Sequence, residues 1–439
     1  MKVYTLQELE AVLNGLEESA VILEGISVER LCGILGGVGG RLLDPDDALH
    51  REALARLPDE SGLTPRMSSD VILHMAAGWT EESLLALVKS QFSPVTMLDG
   101  FVEVEGARGG RVRALGDVLA FHLASGTVPG VGATSLLRSL LVKTPVLLKP
   151  GAGDQVLSRV VARGVAQADA RLAQVAQVVY WPGGTGELET LVLNRARRVV
   201  VYGGDETVEA VRARLPAGIP MVAYAHRLSV GLVGRDRLGG LEQARRLAAQ
   251  AARSVWWYDQ RGCVSPHVVW VEERGRVSPE DWLRLLAREM DVLPRPTTHG
   301  DPQQSARIQQ ERGIAEMRAA GGAAGGFLGD PELRWTLLWE TDAALQASPL
   351  GCTLRVKGVA DLGEVPGLLA PHGRHLQSAA LEVGSPRREG LAMELGRAGV
   401  TRVTTFEDQA WPPAWWHHDG GDALRSLVRF ITLDDDAQG

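Results

Sequence analysis

The sequence predicts an α/β protein: a doubly wound parallel sheet followed by a second α/β unit. Three observations predict it. From about Thr144 onward, short continuous apolar runs recur at 146–148, 178–180, 199–202 and 221–224, the pattern of strands buried on both faces. Segments of helical periodicity at 186–196 and 206–215 separate them and are long enough to be the crossovers that parallel strands require. Lys149-Pro150-Gly151 and Gly203-Gly204 stand just beyond two of the runs, where an open α/β sheet holds its ligands.

Residues 1 to about 95 read as mostly helical. After Trp79, Thr80 is a cap, Glu81 and Glu82 suit the positive end of the helix dipole, and Leu84, Leu85 and Val88 make an apolar face. The second unit begins near Leu228 with a strand over 228–233. A helix follows from Leu241, whose Leu241, Ala244, Ala248, Ala251 and Val255 share one stripe and which ends just before Asp259-Gln260-Arg261-Gly262-Cys263. A β-branched strand is expected over 267–271, and Ser278-Pro279-Glu280-Asp281 is an N-cap with proline at the first helical position. A polar helix spans 303–319, and 321–329, mostly glycine and alanine, reads as a flexible connection. No internal repeat is present.

With 439 residues, 45% hydrophobic and 23% charged, the chain can bury a large core divided among two or three domains. A net charge of −8 without a Lys/Arg cluster opposes nucleic-acid binding. The opening residues lack the apolar core of a signal peptide, and the most apolar long stretch, 135–148, is interrupted by Arg138 and Lys143, so no membrane span and a cytoplasmic location are expected. Cysteines at 32, 263 and 352 are too few and too scattered for a disulfide framework or a four-ligand zinc site. Adjacent histidines at His417-His418 point to opposite faces of an extended segment, and no metal is expected. Core packing is the default for most of the eleven tryptophans.

Cys263 lies on a turn between a long helix and a strand, between Gly262 and Val264-Ser265-Pro266. A buried small hydrophobe is the ordinary role of a cysteine; its neighbours point elsewhere. Five further segments accompany it in order: Ser125-Gly126-Thr127-Val128-Pro129-Gly130-Val131-Gly132-Ala133-Thr134, Val146-Leu147-Leu148-Lys149-Pro150, Val179-Tyr180-Trp181-Pro182-Gly183-Gly184, Tyr202-Gly203-Gly204-Asp205-Glu206, and, after Tyr258-Asp259-Gln260-Arg261-Gly262-Cys263-Val264-Ser265-Pro266-His267, Gly399-Val400-Thr401-Arg402-Val403 with Trp411-Pro412-Pro413 and His417-His418-Asp419-Gly420. Together they resemble the luminescence-type (LuxC-like) fatty acyl-CoA reductases, distant relatives of the aldehyde dehydrogenases, over most of the chain from residue 40.

The resemblance implies an aldehyde dehydrogenase-like fold: a helical region over 1–95 packed on a dinucleotide-binding domain over 96–227, a catalytic domain over 228–405 and a C-terminal segment over 406–439. It implies that Cys263 attacks an acyl thioester and holds the acyl group as a second thioester until NADPH, or NADH, reduces it to aldehyde. The backbone N–H of Cys263 is the first oxyanion donor, and Thr127 stands where aldehyde dehydrogenases place an asparagine donor. Tyr224-Ala225-His226-Arg227 carries no carboxylate where hydrolytic relatives have a water-activating glutamate; His226 is the candidate to ionise the thiol or protonate the leaving group, with a structural role as its alternative. Lys149, Gly183, Gly184, Gly203 and Gly204 are the implied cofactor contacts. Ala152 replaces a glutamate that would repel a 2′-phosphate, although Asp154 is close by. Implied partners are an acyl-CoA or acyl-protein donor, an acyl-activating protein and further copies of the chain. Two alternatives stay open: a hydrolytic NAD(P)-dependent aldehyde dehydrogenase and a silent dinucleotide-binding subunit.

Overall fold

Thr5 caps the first helix through a capping box with Glu8, and Thr80 caps the fifth as the sequence predicts, accepting from the Ser83 N–H at 3.3 Å. The computed structural model describes residues 4–104, 110–183, 185–322 and 324–434. Five helices open it: α1 (Leu6–Glu24), α2 (Val28–Leu43), α3 (Ala48–Ser61), α4 (Pro65–Ala77) and α5 (Glu81–Gln91). The chain divides into a first unit, residues 1–61, 68–225 and 413–439, and a second, residues 62–67 and 226–412.

In the first unit, β1 (Val102–Glu103) and β2 (Gly110–Leu115) pair antiparallel, and Arg429–Asp434 adds a third strand on β2. Its main sheet holds β3 (Ala120–Leu123), β4 (Val146–Lys149), β5 (Ala176–Val178), β6 (Arg198–Tyr202) and β7 (Met221–Tyr224), all parallel, in the order β5-β4-β3-β6-β7. Crossovers are made by α6 (Val131–Leu141), α7 (Gln155–Ala168), α8 (Gly186–Arg195) and α9 (Asp205–Arg214). The order reverses between β3 and β6, so the loops after Leu123 and Tyr202 flank the switch point. The central strand β3 is absent from the sequence reading because His122 interrupts its apolar run. That ring is fully buried; its Nδ1 shares a 2.7 Å hydrogen bond with Ser135 Oγ, while its Nε2 is buried without a partner. The expected strand at 178–180 lies two residues earlier.

The second unit carries β8 (Leu228–Val233), α10 (Leu241–Trp256), β9 (Pro266–Glu272), α11 (Pro279–Asp291), α12 (Pro302–Ala320), β10 (Gly325–Gly329), β11 (Thr336–Glu340), β12 (Thr353–Val359), β13 (Leu376–Glu382) and β14 (Arg402–Thr404). The sheet order is β10-β11-β12-β9-β8-β13-β14, parallel except for β10. Every residue of β8, β9 and β13 is buried, and each large apolar side chain so buried contributes about 1.5–3 kcal/mol. The stretch at 321–329 is not merely a connection: Gly325–Gly329 pairs antiparallel with β11, because a ready strand edge overrides glycine's poor intrinsic preference. Leu241 leaves the predicted stripe and is 66% exposed, while Ala244, Leu247, Ala248, Ala251 and Val255 pack inward. Among the described residues no single helix is long and apolar enough to cross a membrane.

Candidate active site

The turn that carries Cys263 is conformationally expensive. Tyr258, Asp259 and Gln260 have φ of 41°, 59° and 61°, three consecutive non-glycine residues in the left-handed region at about 1–3 kcal/mol each. Side chains hold them there. Gln260, fully buried, donates from Nε2 to the carbonyls of Pro266 and Thr353, both at 2.8 Å, and accepts from the Thr353 N–H at 2.9 Å. Tyr258 Oη donates to the Ala410 carbonyl at 2.8 Å, and its ring meets Trp411 edge-on. Gly262 is required by this packing, since a Cβ there would lie 2.4 Å from the Tyr258 ring. Burial pushes the Asp259 carboxyl up to about 6, against the pull of Arg261.

Beyond the turn, the Cys263 carbonyl accepts from Ser229 Oγ at 2.6 Å. Ser378 Oγ donates to Ser229 Oγ at 2.8 Å, the Ser378 N–H donates to the same oxygen at 3.1 Å, and Gln409 Nε2 reaches Ser378 Oγ at 3.4 Å while Ser254 donates to Gln409 Oε1 at 2.9 Å. The pairing register shifts at both anchoring points, between Ser229 and Val230 in β8 and between Leu376 and Ala379 in β13. Such bulges re-aim side chains. One of those re-aimed is Gln377, whose Nε2 lies 4.0 Å from Cys263 Sγ. Cys263 is half-buried, whereas Cys32 and Cys352 are each 1% exposed. Burial pushes the Cys32 thiol up to about 12 and raises that of Cys352 as well, which disfavours the thiolate at both.

In the first unit, the loops after β3 and β4 touch through glycines. A Cβ on Gly126 would lie 2.7 Å from the Gly153 nitrogen, and one on Gly151 would lie 2.3 Å from the Gly126 nitrogen. Asp154, the reservation about a 2′-phosphate, is fully buried, and its two oxygens accept from the Gly130 and Gly132 N–H groups at 2.6 Å. Burial pushes its carboxyl up to about 8, against those two donors. Ala152 is exposed. Lys149 ends β4 with its Nζ 5.9 Å from the Tyr180 ring centre and 5.7 Å from that of Trp181. Burial lowers its ammonium's pKa, with Glu189 opposing. Among the described residues the Lys149 ammonium has no hydrogen-bond or ion-pair partner, so a largely buried cation stands ready for an anionic group.

Thr127 is exposed, with its hydroxyl 3.3 Å from that of Ser125. His226 is exposed in the turn before β8. Gly183 faces open space; Gly203 donates to the Tyr224 carbonyl at 3.1 Å and Gly204 precedes α9. Gly184 lies outside the described residues. The sequence reading missed Gln377, Ser229, Ser378 and Gln409, which carry no local motif. It also missed a stack at the carboxyl ends of β6 and β7, in which Tyr202, Tyr224 and His418 follow one another at 4.5 and 4.3 Å. Among the described residues no group of three or more His, Cys, Asp or Glu is placed to hold a metal ion.

A family model described as acyl-CoA reductase (LuxC) matches residues 23–430. The chain belongs to this family. Among the LuxC relatives, the long-chain acyl-protein thioester reductase of Aliivibrio fischeri is 22% identical over 382 residues, covering 83% of this chain and 74% of the relative. The protein of the same name from Vibrio harveyi is 21% identical over 423 residues, covering 93% and 83%. Solved structures similar to this LuxC-family chain include aldehyde dehydrogenase 21 from Physcomitrella patens, with a TM-score of 0.77 at 11% identity over 99% of this chain and 92% of that one. Another is NADP-dependent glyceraldehyde-3-phosphate dehydrogenase from Bacillus halodurans C-125, with a TM-score of 0.73 at 15% identity, covering 98% and 92%. The aldehyde dehydrogenase-like fold expected from the motifs is therefore the fold observed.

Proposed function

We propose that this LuxC-family chain reduces long-chain acyl thioesters to aldehydes through a thioester on Cys263, with NADPH as the preferred reductant. The observation that carries this reading is the setting of Cys263: the half-buried member of three cysteines, on a strained turn braced from β8, β12 and β13. The Cys263 thiolate attacks the carbonyl carbon of the acyl thioester, the carbon–sulfur bond of the donor breaks, and the donor's thiol departs with its electron pair. Exchanging one thioester for another keeps the acyl carbon reactive. The backbone N–H of Cys263 is the first donor to the oxyanion of each tetrahedral species. After reduction, breakage of the Cys263 carbon–sulfur bond releases aldehyde and restores the thiolate.

The residues fit a dinucleotide: unpartnered Lys149 suits a phosphate or ribose oxygen, glycines at 183 and 203–204 leave backbone accessible, and Ala152 with the inward-turned Asp154 sets no exposed carboxylate against a 2′-phosphate. Bound there, the reduced nicotinamide supplies the hydride. Thr127 and His226 keep the roles implied by resemblance, as second oxyanion donor and as proton carrier to the leaving thiol; the exposure of both is compatible with access to substrate. The relatives' name, acyl-protein thioester reductase, favours a protein-borne acyl donor over acyl-CoA, with an acyl-activating partner, self-association and a cytoplasmic setting as parts of the same proposal.

Incubation with acyl thioester and NADPH tests this reading. Wild type should yield one aldehyde per NADPH oxidised, and Cys263→Ala should lower turnover by about 10³-fold or more. Acid formed from aldehyde and NAD(P) without thioester reduction would select the hydrolytic alternative; nucleotide binding without turnover in either direction would select the silent subunit.

A further inference from the structure

Gln377 is an unusual resident of a sheet interior. It is the second residue of β13, fully buried, and its backbone carbonyl is already occupied by the N–H and hydroxyl of Thr401, both at 3.0 Å. Its side chain enters no ladder. Nε2 lies 4.0 Å from Cys263 Sγ, and Oε1 is buried with no hydrogen-bond partner. A fold selected for stability alone would put a hydrocarbon here, because an orphaned buried acceptor is destabilising. The β13 register shift that turns this amide toward the sulfur sits on the same Ser229–Ser378 bridge that holds the Cys263 carbonyl. Sulfur and amide are thus fixed to one rigid frame.

We propose that Gln377 is a catalytic residue, whose side-chain amide donates a hydrogen bond to the Cys263 sulfur and holds it as an oriented thiolate. The proposal deepens the thioester-reductase reading and rests on it for the word catalytic; the pairing itself does not. A hydrogen bond to the charged form favours that form, and a neutral amide achieves this without a second titration and without a base able to activate water against the acyl-enzyme. The orphaned Oε1 is an acceptor for an N–H group of the acyl donor or for the S–H of its departing thiol. Neighbouring titratable groups are engaged elsewhere or open to solvent: Tyr258 turns its hydroxyl to the Ala410 carbonyl and is kept neutral by burial, Asp259 bonds Cys352 and Arg261, and His226 is exposed.

The test is the pH dependence of Cys263 alkylation by iodoacetamide, a reaction needing neither acyl donor nor nucleotide, followed by peptide mapping with Cys263→Ala as the blank. In Gln377→Leu the midpoint should rise by about one pH unit, and alkylation at pH 7 should slow about tenfold, while the thermal midpoint stays level or increases as the orphaned acceptor disappears. Gln377→Glu should raise the alkylation midpoint further, since a carboxylate repels the thiolate. Kcat for thioester reduction should fall in parallel. A folded Gln377→Leu with the wild-type alkylation profile would overturn the proposal. Should that variant not fold, Gln377→Asn, which withdraws the amide by one methylene, must show the same upward shift, and an unchanged midpoint there overturns it equally. A shifted midpoint in a protein that makes no aldehyde would keep the pairing and sink the reductase reading.

Discussion

The two large sheets use opposite ends of their strands. In the first unit the loops proposed to hold the cofactor follow β3, β4 and β6 at their carboxyl ends, where Gly126, Gly151 and Lys149 lie, in keeping with the general rule for open α/β sheets. In the second unit the Cys263 turn precedes β9, and its braces come from the first residues of β8, β12 and β13. The carboxyl ends of that sheet are closed by charge. Glu272, whose side chain is fully buried at the end of β9, is held by two bonds from Arg235, two from Arg387 and one from the Leu362 N–H. The dinucleotide proposed for the first unit needs close approach of backbone, which glycines at the loop crossing permit. A nucleophile needs one fixed direction, which side-chain bonds from several strand starts provide.

The largest expected effect breaks or sustains this contrast directly. Glu272→Gln leaves Arg235 and Arg387 without their buried counter-charge and should cost about 3–5 kcal/mol in urea unfolding, with Cys263 alkylation unchanged in the folded protein. Loss of thiol reactivity would mean that the sealed end communicates with the turn. Burial alone would raise the Glu272 carboxyl, but bonds from Arg387, Arg235 and two backbone N–H groups hold it far below 4.5. Its folded value is depressed, so its contribution is present in full above the unfolded value and is lost as pH falls below about 4.5 toward the folded value. Glu272→Gln should accordingly flatten the acid limb of a stability–pH profile.

Gly151→Ala sharpens the other side. Its Cβ would press on the Gly126 nitrogen, and the overpacking should cost about 1–3 kcal/mol while weakening NADPH binding by calorimetry and leaving the alkylation rate alone. Lys149→Met, the smallest change, should raise the Kd for NADPH about tenfold at physiological salt, the worth of one charge-assisted hydrogen bond. Equal weakening of NADH and NADPH would assign Lys149 to the ribose; a selective effect on NADPH would assign it to the 2′-phosphate.

Most repeating features were legible in the chain itself. Parallel strands announced themselves by unbroken apolar runs, crossover helices by their period, and helix starts by Thr80 and Ser278, because each is a short-range preference written in adjacent residues. Cys263 and its glycine were visible as a turn motif, although the reason for Gly262 was the Tyr258 ring. The glycine-rich strand β10 and the His122-interrupted strand β3 were not legible, since pairing with neighbouring strands, β11 in one case and β4 and β6 in the other, holds them.

The amino-acid sequence by itself determined the α/β class and the family, both properties of local pattern and motif order, and it singled out Cys263 as the candidate nucleophile. Only the tertiary structure decided that Asp154 turns inward, that Gln260 locks a left-handed turn and that Gln377, 114 residues from Cys263, approaches its sulfur. The physical reason is that hydrogen bonds between side chains of distant strands depend on register. A bulge that shifts the register by one residue changes which face receives a side chain, and nothing in the neighbouring residues records that choice.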